Sequence, residues 1–554
     1  MNKKIYKLLV CLLCCFIISG GAGCGRKNES AETEKENNDK PSSSHTESGD
    51  DNSDIDDTVS DIIKDVISDS SENDFVFEII DDDLEEETAT VRKKYTVSSV
   101  PRVYLTTANT DIKFRRQDEK NVKVYGIEKL DRSTGTVMDI DPNKKYQTIE
   151  GFGASLTDTS SYNISLMPEN MRNDLMTKLF DPEKGIGLSF LRQPIGVSDF
   201  NVEFYTYDDM PQGEEDWDLK NFSIERDKKY IIPLIKQAQK LNSNMRVISA
   251  CWSPPLWMKT KYEWFSENRA MLRTECYEVF AKYLVKYIKA YEAEGIPIYS
   301  ISPQNESTGV HGIPACYYDA DMMAKLVNYY LRPMIDEAGI DTEIWIWDFN
   351  WFENDILDFI GKTFGNADAV ATHYYSGSAE VLKTVNEMFP NLNIHITEAA
   401  GQKQGQNSQL FRQLKYFTES FRAGAKSWIL WNICLDENLG PFDPQFYNGH
   451  GIGLTEYNRT TGKLAYQMDF YALAHMSKFI QPGASVIESN DLSITSEETY
   501  YNLAALNKNG TATVIIGNQG GEAETFKIVI CDKVIEYTLP SNSVATITWD
   551  ANTY

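Results

Sequence analysis

Two glutamates, Glu306 and Glu398, each stand at the carboxyl end of a short apolar run, Ile298-Tyr299-Ser300-Ile301-Ser302 and Asn393-Ile394-His395-Ile396-Thr397. Where such runs are parallel strands of a closed barrel, their carboxyl ends open on one face, and residues far apart in the chain meet there. A pair of carboxylates, one on each side of an anomeric carbon, is what cleavage of a glycosidic bond requires. Acids after strands are also common, and most of the 82 Asp and Glu residues must be solvated surface. The neighbours of the two glutamates therefore decide the reading.

The elements that must position them follow a regular grammar. From Lys145 to Phe470, short apolar strands alternate with amphipathic helices, as in βα units around a parallel sheet. Strands are predicted near Ile149, Phe190, Val247, Tyr299, Ile344, Val370, Ile394 and Ile429. One helix shows the logic: Tyr277, Phe280, Leu284, Tyr287, Ile288 and Tyr291 share a face, and Gly295 supplies the stop. This pattern predicts an α/β fold, a (β/α)8 TIM barrel over residues 145–475. Residues 95–144 alternate in the manner of strands, as in Val122-Lys123-Val124-Tyr125, and residues 476–554 repeat that grammar in Thr511-Ala512-Thr513-Val514-Ile515-Ile516. Strands at both chain ends around a different middle predict one discontinuous side β-sandwich.

Residues 1–23 read as a secretion signal: Lys3, Lys4 and Lys7 precede an apolar run, Leu8 to Ile18, that is short for a bilayer span. The leader ends in Gly21-Ala22-Gly23-Cys24, which resembles a bacterial lipobox and makes Cys24 the expected lipid attachment point. The expected location is the outer face of a bacterial membrane, with membrane contact only through that anchor. Residues 24–94 are polar and acidic, with sixteen Asp or Glu against one Lys between Asp51 and Thr90, and such a composition predicts a disordered tether. That stretch carries more than half of the net charge of −28. No basic groove is apparent, which argues against nucleic acid as a partner. Beyond the leader, Cys251, Cys276, Cys316, Cys434 and Cys531 are widely spaced, contain no C-x-x-C pair, and read as buried free thiols.

Side chains just past each predicted strand form a coherent set. Arg192 and Asp199 follow the second strand, Trp252 and Trp257 the third, Asn305 and Glu306 the fourth. His373, Tyr374 and Tyr375 belong to the sixth, Glu398 to the seventh, and Trp431, Asn432 and Asp436 to the eighth. Eight of the ten tryptophans lie between Trp252 and Trp431. Aromatic faces for C–H bonds, with carboxylates and amides for hydroxyls, are what a sugar-binding cleft needs; Trp345 and Trp347 include at least one core residue instead.

These residues also resemble a known family. Gly151-Phe152-Gly153-Ala154, Leu191-Arg192-Gln193-Pro194, Ser253-Pro254-Pro255-Leu256-Trp257-Met258-Lys259-Thr260, Gln304-Asn305-Glu306, His373-Tyr374-Tyr375, Thr397-Glu398-Ala399 and Trp431-Asn432 occur in order, and together resemble glycoside hydrolase family 30, its glucosylceramidase-like branch above all. The resemblance implies a retaining double displacement in which Glu398 attacks the anomeric carbon and Glu306 serves as acid, then base. It implies a carboxylate separation of about 5–5.5 Å. It also implies that Asn305 holds the sugar 2-hydroxyl, that Asp199 and Trp252 grip hydroxyls at the non-reducing end, that Tyr375 orients Glu398 and that Trp431 walls the pocket, with Arg192 and His373 in support behind them. Three positions depart from the pattern: Ser307 replaces a common proline, Lys261 to Ser266 lacks glycine, and Leu439 replaces a usual glycine.

The main expectation is an exo-acting β-glycosidase for β-glucosides, glucosylceramide-like lipids included. An endo-acting hydrolase of xylan or β-1,6-glucan remains open, as does a surface glycan-binding lipoprotein without catalysis. Other hydrolytic chemistries lack their motifs: there is no G-x-S-x-G elbow and no H-E-x-x-H pair. His373 and His395 match no common metal-site spacing and read as buried hydrogen-bonded imidazoles, so no metal or cofactor is expected. Oligomeric state leaves no mark in the pattern.

Overall fold

The computed structural model describes residues 93–552 apart from 266, 310–311, 403–404, 446–450 and 496–498. The leader, Cys24 and the acidic stretch as far as residue 92 lie outside the described residues. Eight parallel strands close into a barrel. They are β1 (Gly151–Ser155), β2 (Phe190–Pro194), β3 (Arg246–Ala250) and β4 (Ile298–Ser302). The circuit continues through β5 (Glu343–Trp351), β6 (Ala369–Gly377), β7 (Asn393–Glu398) and β8 (Ser427–Leu430). β8 pairs with β1 to close it. All eight predicted strand positions are occupied, the first beginning at Gly151 just after Ile149.

Glycine is required where β1 meets β2, because a Cβ on Gly153 would collide with the Phe190 carbonyl oxygen. Between β3 and β4 the helix Tyr277–Ala293 buries Tyr277, Phe280, Leu284, Tyr287, Ile288 and Tyr291 against the barrel. It stops at Gly295, whose φ of +79° is left-handed. Trp345 and Trp347 are both core residues, at 1% and 0% exposure. Of the five thiols, four are buried; Cys531 is exposed, because it sits in the tight turn between Glu524–Ile530 and Lys533–Leu539 with φ at +52°.

A second sheet of ten strands draws on both sides of the barrel sequence. Arg102–Thr107 pairs antiparallel with Ser543–Asp550, Val122–Gly126 with Lys533–Leu539, and Thr136–Thr148 lies between Ser485–Ser489 and Glu524–Ile530. Strands distant in this order share one apolar core, including Val103, Met138, Ile516, Ile528, Ile535 and Trp549, so the sheet folds over on itself. The helix Met468–Ser477 fastens it to the barrel. There His475 is fully buried, with Nδ1 at 2.9 Å from Thr546 Oγ1 and Nε2 at 2.8 Å from Thr106 Oγ1.

Burial drives the His475 pKa from 6.5 down to about 3. The unfolded chain therefore binds an extra proton between those values, and its contribution to stability is lost as pH falls from 6.5 towards 3. His475→Gln should flatten the acid side of the stability profile, where each pH unit costs the wild type up to about 1.4 kcal/mol. Urea unfolding at pH 4, 5 and 7 measures this; parallel profiles for the two proteins would show that the imidazole does not titrate on unfolding.

Candidate active site

The carboxyl ends of the barrel strands converge on a buried cation. Arg192, in β2, is 1% exposed. Its Nη1 donates to Glu398 Oε2 at 2.5 Å, and its Nη2 to Asn305 Oδ1 at 2.7 Å and to Asp348 Oδ2 at 2.9 Å. The guanidinium lies 4.9 Å from the Trp252 ring and 5.4 Å from the Trp431 ring. Those two indoles stack on each other at 5.1 Å. One side chain thus connects the ends of β3, β4, β5, β7 and β8.

A second cation completes the set. His373, in β6, is fully buried, with Nε2 at 3.1 Å from Asp348 Oδ1 and Nδ1 at 3.3 Å from Glu306 Oε1. Burial opposes its charge, but Glu398, Asp348 and Glu306 outweigh that and push its pKa up to about 9. As a cation it donates to both carboxylates. For Asp348 burial favours the neutral acid, yet the Arg192 charge and hydrogen bonds from His373 and Thr397 hold the carboxyl well below the usual range. Thr397 Oγ1 donates to Asp348 Oδ1 at 2.5 Å. Glu398 also accepts from the Tyr375 hydroxyl at 2.9 Å, and that hydroxyl in turn accepts from the Ala400 N–H at 2.9 Å. A fixed donor chain therefore sets the carboxylate plane.

Ligand atoms of Glu306, His373 and Glu398 all lie within 4.8 Å of one another. Both ring nitrogens of His373 already face carboxylates, so the trio is an ion-paired cluster. Glu306 sits at φ +51°, and its N–H donates to the Asp348 carbonyl at 2.8 Å. Trp347 and Asp348 are themselves left-handed, at φ +75° and +51°, where the pairing of β5 with β6 slips register. Ser307 ties the two irregular segments together, its hydroxyl donating to the Trp347 carbonyl at 3.1 Å. The serine that replaces proline is thus a fastener between β4 and β5. Such conformations cost about 1–3 kcal/mol each and persist where surrounding contacts over-determine them.

Asp199 is 8% exposed, with Oδ1 buried and without a hydrogen-bond partner among the described residues. Burial, together with the charges of Glu398 and Glu306, pushes its pKa well above the carboxylate range. Arg192, Trp252, Asn305, Glu306, His373, Tyr375, Glu398 and Trp431 are joined by direct contacts. Asn432 and Asp436 instead serve local structure: Asn432 Oδ1 accepts from Thr157, and Asp436 Oδ1 from the Asn438 and Gly440 N–H groups. Asp348 carries no role in the sequence reading, although it is a buried acid within a tryptophan-rich strand, and that oddity is its one signal. His395 is a buried imidazole bonded to Ser427 at 2.9 Å and stacked on Trp345.

A closed parallel barrel whose carboxyl face holds two glutamates in one cluster defines the TIM-barrel hydrolase class. Residues 149–480 match the glycosyl hydrolase family 30 TIM-barrel domain, and residues 483–547 match the family 30 beta sandwich domain. The chain belongs to glycosyl hydrolase family 30 and is a glycoside hydrolase. It is 27% identical over 491 residues to a Caenorhabditis elegans protein named putative glucosylceramidase 4, covering 83% of this chain and 91% of that one. It is 29% identical over 428 residues to the endo-1,6-beta-D-glucanase BGN16.3 of Trichoderma harzianum, covering 72% and 84%. Among solved structures, the endo-beta1,6-glucanase BT3312 superposes with a TM-score of 0.73 at 25% identity, covering 82% of this chain and 99% of that one. No helix among the described residues is long and apolar enough to cross a membrane.

Asp348→Asn keeps the shape and removes the charge that both cations share. It should lower the His373 pKa from about 9 and destabilise the fold by about 3–5 kcal/mol. Proton NMR titration of the six histidines together with denaturant unfolding reads both effects. An unmoved His373 titration would remove Asp348 from the network.

Proposed function

We propose that the protein is a retaining, exo-acting β-glycosidase that hydrolyses β-glucosides, glucosylceramide-like lipids among them. The observation that supports the retaining mechanism is the closeness of Glu306 and Glu398, one oxygen of each lying within 4.8 Å of the other, as a pair that acts by double displacement requires. Glu398, held by Arg192 and Tyr375, forms a bond to the anomeric carbon as the glycosidic C–O bond breaks. Glu306 acts from its protonated form, Oε1 accepting from His373 and Oε2 carrying the proton that passes to the departing oxygen. Forming the ester removes one negative charge from a set containing two cations, which holds Glu306 as a carboxylate able to act as base towards the incoming water. Water then attacks the anomeric carbon, loses that proton to Glu306, and frees Glu398. Asn305 Oδ1 is occupied by Arg192, which leaves the amide donors for the 2-hydroxyl. Asp199, whose Oδ1 is buried without a partner among the described residues, supplies an acceptor for a substrate hydroxyl.

An apolar leaving group would find aromatic and aliphatic contacts in Phe204, Trp264, Phe265, Ile313, Leu439 and Phe442, which form one cluster with Trp252 and Trp431. The relatives named as glucosylceramidases support the same substrate class. An endo-acting β-1,6-glucanase is the second reading, favoured by the relatives and the solved structure that bear that name. The leader and the small residues before Cys24 support export and lipid attachment at the cell surface.

Incubation with 2-deoxy-2-fluoro-β-glucosyl fluoride followed by peptide mass mapping should place the label on Glu398. A label on Asp348 or Asp436 would refute the assignment. Glu398→Gln should abolish turnover in a chain that still folds, though less stably because Arg192 loses a charged partner, and Glu306→Gln should slow poor leaving groups far more than activated ones. Monosaccharide as the sole product from β-1,6-glucan and glucosylceramide would exclude endo action, whereas early oligosaccharides would establish it. Glycan binding without turnover of any activated aryl glycoside would make this a binding protein.

A further inference from the structure

Lys259 is a buried lysine that the mechanism leaves unused. It is 4% exposed, in the segment after β3. Its Nζ donates to Ser253 Oγ at 3.1 Å and to the carbonyls of Glu263 at 2.6 Å, Trp264 at 3.3 Å and Ala315 at 2.8 Å. We propose that Lys259 is a positioning residue for the leaving-group side of the cleft, its ammonium tying the segment after β3 to the segment after β4 and so holding Trp264 and Phe265 in the cleft wall. The proposal rests on the glycosidase reading for the word leaving group, and on geometry alone for the tie.

The acceptors include three carbonyls from two segments distant in sequence, and an ammonium supplies three donors from one point; among the described residues only the Trp264 carbonyl of the three also accepts from a backbone N–H, that of Ala315. A carbonyl withdrawn from water needs a donor, so removing this one group unsettles several contacts together. The surrounding backbone agrees. Ala315 N–H donates to the Trp264 carbonyl at 2.9 Å, and Tyr317 N–H to the Ala270 carbonyl at 2.9 Å. Isolated bridges join Lys259 to Leu272, Phe265 to Pro314 and Met271 to Tyr317. None of these is a regular sheet, so the cage is the point on which the excursion from 259 to 272 turns.

The excursion ends in aromatic contacts with the cleft. Phe204 packs against Trp264 at 5.7 Å and Phe265 at 6.2 Å, and all three belong to the cluster that contains Trp252 and Trp431. Burial lowers the Lys259 pKa to about 8, with Glu263 the acid that opposes it; the neighbouring Cys251 and Cys316 thiols are themselves pushed up by burial and stay neutral. The ammonium is therefore intact at neutral pH.

A substrate series separates the tie from general support. β-Glucosyl fluoride has a single atom as its leaving group and cannot touch the wall, whereas a lipid β-glucoside or a β-linked disaccharide must. In Lys259→Met, kcat/KM for the large substrate should fall about tenfold relative to that for the fluoride, chiefly through KM, with the fluoride rate within about twofold of wild type. Trp264→Ala should lower the same ratio, and the double variant should fall no further than the lower single one. Ser253→Ala removes one acceptor without emptying the cage, and serves should Lys259→Met fail to fold; it should move the ratio in the same direction. Hydrogen exchange gives a readout independent of turnover: peptides from 259–265 and 313–318 should exchange at least tenfold faster in either variant, with the strands unchanged. Equal losses on fluoride and large substrate, or unchanged exchange in those peptides, would overturn the proposal. A wild-type protein that cleaves neither substrate would overturn the glycosidase reading and the leaving-group role with it, while the exchange result would still decide the tie.

Discussion

Arg192 carries a full positive charge on the floor of the barrel, and taking such a charge out of water costs several kcal/mol unless its hydrogen-bonding groups are answered. The answer here comes from five strands: two carboxylates, one amide and two indole faces. None is close to it in sequence, so the pairing exists only once the barrel has closed. The same contacts that neutralise the charge also aim Glu398 and Asn305. Stability and alignment are in this sense one requirement, because a barrel that let Arg192 go unpaired would lose both together. His373 extends the arrangement to Glu306, with Asp348 as the anion common to both cations.

The distortions around Glu306, Trp347 and Asp348 follow from that need. A regular strand alternates its side chains between the two faces, and β5 must turn Asp348 towards Arg192 while Trp347 stays in the core. The left-handed residues and the register slip against β6 allow both. Ser307 and the Glu306 N–H then lock the end of β4 to the same irregular point. Rigidity at the acid is thus borrowed from a neighbouring strand.

Most of the barrel was legible in the sequence because hydrophobic periodicity is local. The eight strands and the helix Tyr277–Ala293 could be read from residue spacing within short windows. Glu306 and Glu398 were legible because their position after strands has a topological meaning, and the ordered motifs added to it. Asp348 was not, since its importance comes from three partners contributed by β2, β6 and β7, which no local window contains. Lys259 was hidden for the same reason: a lysine in sequence reads as surface, and only the fold reveals a cage of carbonyls around it. Cys531 failed in the opposite direction, for cysteine is generally a buried residue, and the tight turn that exposes it depends on the pairing of its flanking strands.

The interleaved sheet also bears on how the chain comes into being. Ser98 bonds to Asp550, and Arg102–Thr107 has its partner in Ser543–Asp550. Contacts between segments so far apart carry a large loop-closure cost and slow the search for the native state. On the ribosome, the earliest strands must wait with open edges while more than four hundred residues are synthesised, and exposed edges invite pairing with other chains. The barrel, whose neighbours are nearly consecutive, can assemble first and present a finished surface on which the two ends then meet.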